Sequence, residues 1–150
     1  NGSAAPSFLS ITNPDDLFIS INSFSKAWSM TGWRLGWLIA PAQLESVLAM
    51  LTEFNIACPP GFIQQAGVVA LRDGEDRLQA LQDQLGQGYV LAASRLRNIR
   101  SVKFIESAGA FYCFFSVTGA SDSMVLARNI LRETGVGLAP GIAFGPAGEG

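Results

Sequence analysis

Ser23-Phe24-Ser25-Lys26-Ala27-Trp28-Ser29-Met30-Thr31-Gly32-Trp33-Arg34-Leu35-Gly36 gathers an amine, several hydroxyls and a guanidinium into one short stretch. It follows the turn signal Asn13-Pro14-Asp15-Asp16 and an Ile- and Phe-rich run that predicts a strand over 17–22. Lys26 would then stand at the end of a buried strand, where loss of water favours the neutral amine that Schiff-base formation needs. On an extended backbone Ser23 and Ser25 share one face, and Arg34 adds a permanent cation whose planar fork suits phosphate oxygens. The pattern is that of a phosphate cup beside a nucleophilic amine. A plainer reading stands next to it: Lys26 solvated, the serines forming a turn and Arg34 paired with a carboxylate. Ser-x-Ser-Lys alone is too short to choose between them.

Further along, an apolar run predicts a second buried strand over 33–40, stopped by Pro41. Leu44, Val47, Leu48, Leu51 and Phe54 recur at helical spacing behind that proline, giving a helix over 42–55. Cys58-Pro59-Pro60-Gly61 must break the chain, since neither proline donates a backbone hydrogen bond, and a helix over 62–71 follows. Leu78, Leu81, Leu85, Tyr89, Ala92 and Leu96 trace one stripe along a long helix over 75–98, weakened in its middle by Gly86 and Gly88. Beyond it the pattern changes. Strands are expected over 102–106 and 111–117, and Asp122 or Ser123 can cap a helix that ends at Gly135. A short strand over 136–139 then meets a Gly/Pro-rich end. This order of elements indicates an α/β remnant over 1–88 and a smaller α+β unit over 89–150.

Composition narrows the chemistry. Of 150 residues, 49% are hydrophobic and 15% charged, which supports a folded chain rather than a disordered one. The net charge of −2 comes without a basic run, so no nucleic-acid partner is expected. The densest apolar run, 108–117, is far shorter than the ~20 residues of a spanning helix, and no membrane association is expected. No secretory signal is visible at Asn1-Gly2-Ser3, and a reducing cytoplasmic setting is the default. There is no histidine, which removes Ser-His-Asp and Cys-His catalysis and most transition-metal sites. Cys58 and Cys113 are too few for a disulfide framework, and they fit better as small core or loop residues than as nucleophiles. Trp28, Trp33, Trp37 and Tyr112 are likewise more natural as packing residues than as site residues.

The full string from Ser23, with Met30-Thr31-Gly32-Trp33-Arg34-Leu35-Gly36-Trp37 at its spacing from Lys26, resembles the lysine signature of the class I/II pyridoxal-5′-phosphate (PLP)-dependent aminotransferases. Pro60-Gly61-Phe62-Ile63-Gln64-Gln65-Ala66, Ala108-Gly109-Ala110-Phe111-Tyr112 and Ala139-Pro140-Gly141-Ile142-Ala143-Phe144-Gly145 extend the resemblance over essentially the whole chain. It implies an α/β fold in which the chain is the C-terminal part of a PLP-dependent transferase: a remnant of the large domain and an incomplete small domain. It implies that Lys26 carries the cofactor and moves protons, that Ser23 and Arg34 hold its phosphate, and that Ser25 helps. Amino acids and 2-oxo acids are the implied small-molecule partners, and a homodimer the implied assembly. An aspartate-type or aromatic-type aminotransferase is favoured, while a PLP lyase or synthase of the same scaffold, or the effector domain of a transcription regulator, stays open. The family's partner for the pyridine nitrogen precedes the lysine, and its substrate-carboxylate arginine follows a Gly-Glu-Gly like Gly148-Glu149-Gly150. Neither matches a residue of this chain, so these 150 residues alone are expected not to catalyse transamination.

Overall fold

The computed structural model describes residues 5–149 and is a mixture of helix and short antiparallel sheet. Backbone contacts divide the chain into two units between Gln84 and Leu85. No helix among the described residues is long and apolar enough to cross a membrane.

In the first unit, β1 (Ser20–Ser23) runs into the four-residue helix α1 (Phe24–Ala27), and β2 (Gly36–Ile39) pairs antiparallel with β1. Strand β1 begins later than the expected 17–22. The Asn13–Asp16 turn is closed by an Asp16 N–H bond to Asn13 O and an Asn13 N–H bond to Asp16 Oδ2, and the Phe18 N–H still points back to Asp16 O. Strand β2 is shorter than the expected 33–40, because Thr31–Trp33 forms a 3₁₀ turn and Arg34 takes the left-handed conformation (φ 53°, ψ 45°). Both strands were expected to be buried, but β2 is exposed throughout and Ile21 of β1 is 82% exposed. Among the described residues this sheet has two strands only, and a two-stranded sheet buries little by itself.

Pro41 leads into a 3₁₀ turn, Ala42–Leu44, and then α2 (Glu45–Ile56). Helix α2 stops at Ala57, whose φ is positive, just before Cys58-Pro59-Pro60. Helix α3 (Gly61–Asp73) follows, its Gln64 side chain donating to Pro59 O at 2.8 Å. Among the described residues the apolar core of this unit consists of Phe24, Met30 and Leu35, with Trp28, Ile63, Ala66 and Ala70 packed against it. Ile63, Ala66, Gly67 and Ala70 recur at the 3- and 4-residue spacing of one helix face, so α3 lies against the Phe24–Leu35 stretch.

Helix α4 (Glu75–Arg97) runs through the border between the units with Gly86 and Gly88 inside it. In the second unit β3 (Val102–Phe104) pairs with β4 (Phe115–Val117). Both are shorter than the expected 102–106 and 111–117. After Phe104 the chain is drawn to α4: Glu106 makes a 2.6 Å ion pair with Arg97, and the Ser107 N–H donates to Tyr89 Oη at 2.7 Å. Ala110 then has a positive φ of 64°, which delays β4. Helix α5 (Ser123–Thr134) is capped by Asp122, whose carboxylate accepts from the Val125 N–H at 2.8 Å, and ends at Gly135 in the left-handed region. Residues 136–139 form no strand. The Val136 N–H is taken by Thr134 Oγ1 at 3.2 Å, and the segment lies unpaired along an apolar cavity of about 340 Å³ against Cys113–Ser116.

Candidate functional site

Residues 23–36 fold back on themselves, and the backbone does most of the positioning. Ser23 pairs with Gly36 at the last rung of the β1–β2 ladder. The Phe24 N–H extends that pairing by donating to Leu35 O at 3.1 Å. Gly36 is required there, because an added Cβ would stand 2.5 Å from the carbonyl oxygen of Asn22. The ladder therefore brings the start of α1, which carries Lys26, alongside the chain just after Arg34.

Ser23 is the N-cap of α1: its Oγ accepts from the Ser25 N–H at 3.0 Å, and its backbone is extended (φ −140°, ψ 141°). Ser23 and Ser25 were expected two apart on an extended strand. Instead Ser25 lies in the first turn of α1, so the two hydroxyls do not share a strand face. Lys26 follows in the same turn and is exposed. The expected partial burial of this residue is therefore not seen among the described residues. Arg34 is exposed too, and its Nη1 donates to Thr31 O at 3.0 Å, closing the 3₁₀ turn that precedes it. A non-glycine residue in the left-handed region is uncommon and often marks a functional constraint.

Beneath this surface the side chains that alternate with the polar ones are the core. Phe24 is 4% exposed, Met30 7% and Leu35 8%. Phe24 stacks with Trp28 and Trp37 at ring-centroid distances of 5.0 Å each. Trp28 is half-buried against this core, while Trp37, though in ring contact with Phe24, is 37% exposed and Trp33 42%. Cys58 is an exposed loop residue and Cys113 is half-buried, both free thiols. Sequence reasoning took the polar members of the motif and missed that its apolar members, together with Gly67 of α3, hold them in place. The signal was present in the helical spacing of Ile63, Ala66, Gly67 and Ala70.

The sequence profile of the family described as aminotransferase class I and II matches residues 2–149, and the chain belongs to that family. It is 36% identical over 135 residues to an aspartate aminotransferase of Pyrococcus horikoshii, covering 88% of this chain and 34% of the relative. It is 38% identical over 149 residues to aromatic-amino-acid aminotransferase 2 of Thermococcus litoralis, covering 94% and 38%. Among solved structures, the aspartate aminotransferase of Thermotoga maritima superposes with a TM-score of 0.81 at 34% identity, over 93% of this chain and 36% of that one. The chain therefore spans between a third and two-fifths of the length of these relatives. The fold is a partial α/β fold of the PLP-dependent transferases, and PLP is the cofactor expected of the family. The donors present suit it in kind: an exposed primary amine, two serine hydroxyls and an exposed guanidinium lie on one folded stretch.

Proposed function

We propose that the protein containing this chain is a PLP-dependent aminotransferase that moves an amino group between an amino acid and a 2-oxo acid. Lys26 is the cofactor-bearing lysine, and Ser23, Ser25 and Arg34 hold the cofactor phosphate. The observation that carries this reading is the pairing of Ser23 with Gly36 and of Phe24 with Leu35, which brings the serine–lysine turn beside the arginine. In this role Ser23 offers its hydroxyl and Ser25 a second one, while Arg34 offers parallel N–H donors to two phosphate oxygens. Bound PLP supplies the electron sink for the bonds broken at the substrate's α-carbon. With that cofactor bound, the Lys26 amine would be the proton carrier at the α-carbon, serving as base and then as acid. An aspartate-type or aromatic-type donor is part of this reading, supported by relatives named for those amino acids, although relatives of similar identity are named for valine–pyruvate and diaminopimelate.

The residues that desolvate the amine and engage the pyridine ring and the substrate carboxylate would come from the rest of a longer protein. Self-association, in the form of a homodimer, is part of the same proposal. It is supported by the many exposed large apolar side chains, Ile21 at 82% and Phe54 at 83% among them, which need covering by another part of the protein or by a second copy. The two free thiols suit a reducing cytoplasm.

Borohydride reduction of the full-length protein loaded with PLP, followed by peptide mapping, tests the assignment. The modified peptide should contain Lys26. Label on Lys103 or on a lysine outside this chain would overturn it.

A further inference from the structure

Helix α3 meets the Lys26–Arg34 stretch through the face that carries Ile63, Ala66, Gly67 and Ala70. Gly67 is the only buried residue of that helix. A Cβ placed on it would stand 2.6 Å from Leu35 Cδ2, 3.3 Å from Phe24 Cζ and 3.7 Å from Phe24 Cε1. Those two side chains are not ordinary neighbours of the site. Phe24 is two residues before Lys26, Leu35 immediately follows Arg34, and the Phe24 N–H to Leu35 O bond at 3.1 Å fastens one to the other. Their side chains rest on α3 where Gly67 has none.

We propose that Gly67 is a positioning residue for the cofactor site: its missing side chain sets how deeply Phe24 and Leu35 seat on α3, and so where the Lys26 amine stands relative to the Arg34 guanidinium. This rests on the reading of Lys26 and Arg34 given above. Nothing else in the geometry of α3 calls for glycine at this place. Gly67 lies in the helix interior with no positive φ, where glycine is a poorer helix former than alanine. A role confined to the helix therefore predicts that Gly67→Ala stabilises the protein and leaves the cofactor alone. The positioning role predicts that substitution loosens PLP in proportion to the size of the new side chain, while the fold persists.

The relevant measurements are PLP titration of the full-length protein, followed by the visible absorption of the cofactor bound through Lys26, and the thermal midpoint of each variant. Gly67→Ala should weaken PLP only about threefold, since the end of the Leu35 side chain can rotate away, and Gly67→Val should weaken it at least about tenfold. Shortening the opposing side chain in the double variant Gly67→Val/Leu35→Ala should recover most of that loss, because it returns the space the valine takes. Should Gly67→Val not fold, Gly67→Ala with and without Leu35→Val carries the same comparison on a smaller scale. A lowered thermal midpoint with unchanged PLP affinity, or no recovery in the double variants, would overturn the inference. Wild-type protein that takes up no PLP at Lys26 would overturn the reading of the site itself, and this inference with it.

Discussion

Replacing Gly36 with alanine should damage both the fold and the site, and the structure sets the size of the effect. The new Cβ would fall 2.5 Å from Asn22 O, about 0.9 Å inside the 3.4 Å at which ordinary van der Waals contact begins. Both partners are backbone, at neighbouring rungs of the ladder that pairs Ser23 with Gly36 and Asn22 with Trp37, so neither can swing aside as a side-chain tip would. The strands must separate, at an overpacking cost of about 1–3 kcal/mol. In a protein of this size or larger that lowers the thermal midpoint by roughly 2–12 °C. PLP affinity should fall with it, because the separated rung is the one that places the α1 cap beside Arg34. Gly32→Ala is the internal control: it lies in the same motif, yet an added Cβ there meets nothing within 4 Å. It should be neutral or slightly stabilising, within about 1 kcal/mol. Differential scanning fluorimetry and PLP titration of the two variants side by side decide the matter. If Gly36→Ala behaves like Gly32→Ala in both, the ladder does not position the site.

Two helix-end substitutions in the second unit test its local logic. Asp122→Ala removes the side-chain acceptor for the Val125 N–H and should cost about 1 kcal/mol in urea unfolding. Gly135→Ala forces a Cβ onto a residue at φ 73° and should cost about 1–2 kcal/mol; equal stability of either variant with the parent would contradict the caps described. The purified 150-residue chain supplied with PLP should turn over amino-acid and 2-oxo-acid pairs far below ordinary enzymatic rates, since it covers 34–38% of its relatives' length. Lys26-dependent turnover at about 1–1000 per second would refute that expectation.

Much of the architecture was legible because it is written in local signals. The Pro41 and Pro59-Pro60 breaks, the stripe of α4 and the Asp122 cap all act within a few residues, and each lies close to where it was expected. Strand limits were not legible, because they depend on partners. Residues 136–139 have strand composition but pair with no strand among the described residues, and β4 begins only at Phe115, beyond the positive φ of Ala110. At the site, residue types and spacing were informative while their geometry was not. The capping bond from the Ser25 N–H to Ser23 Oγ, which places Ser25 in a helical turn, and the left-handed Arg34 belong to the fold-back of 24–35, which no periodicity encodes. Burial was the least legible property of all. The apolar runs at 17–22 and 33–40 have interior composition, yet among the described residues only Leu35 of these runs is buried, while Leu17, Ile21 and Leu38 are exposed.

Helix α4 has its weakest point where the two contact units divide. Gly86 and Gly88 follow directly on the Gln84–Leu85 border, a Cβ added at either would meet nothing within 4 Å, and each costs about 1 kcal/mol of helical stability relative to alanine. Opening the helix over those few residues would break no core contact of either unit. The Phe24–Met30–Leu35 cluster lies wholly on one side, and the Tyr89–Phe104 ring pair with the Arg97–Glu106 bridge wholly on the other. Amide hydrogens near 84–88 should accordingly exchange with solvent well before those of Phe24 or Val102, and a protease should nick the chain there first. Exchange that sets in around Gly86 and Gly88 ahead of both would mark the two contact units as separate unfolding blocks joined by one helix.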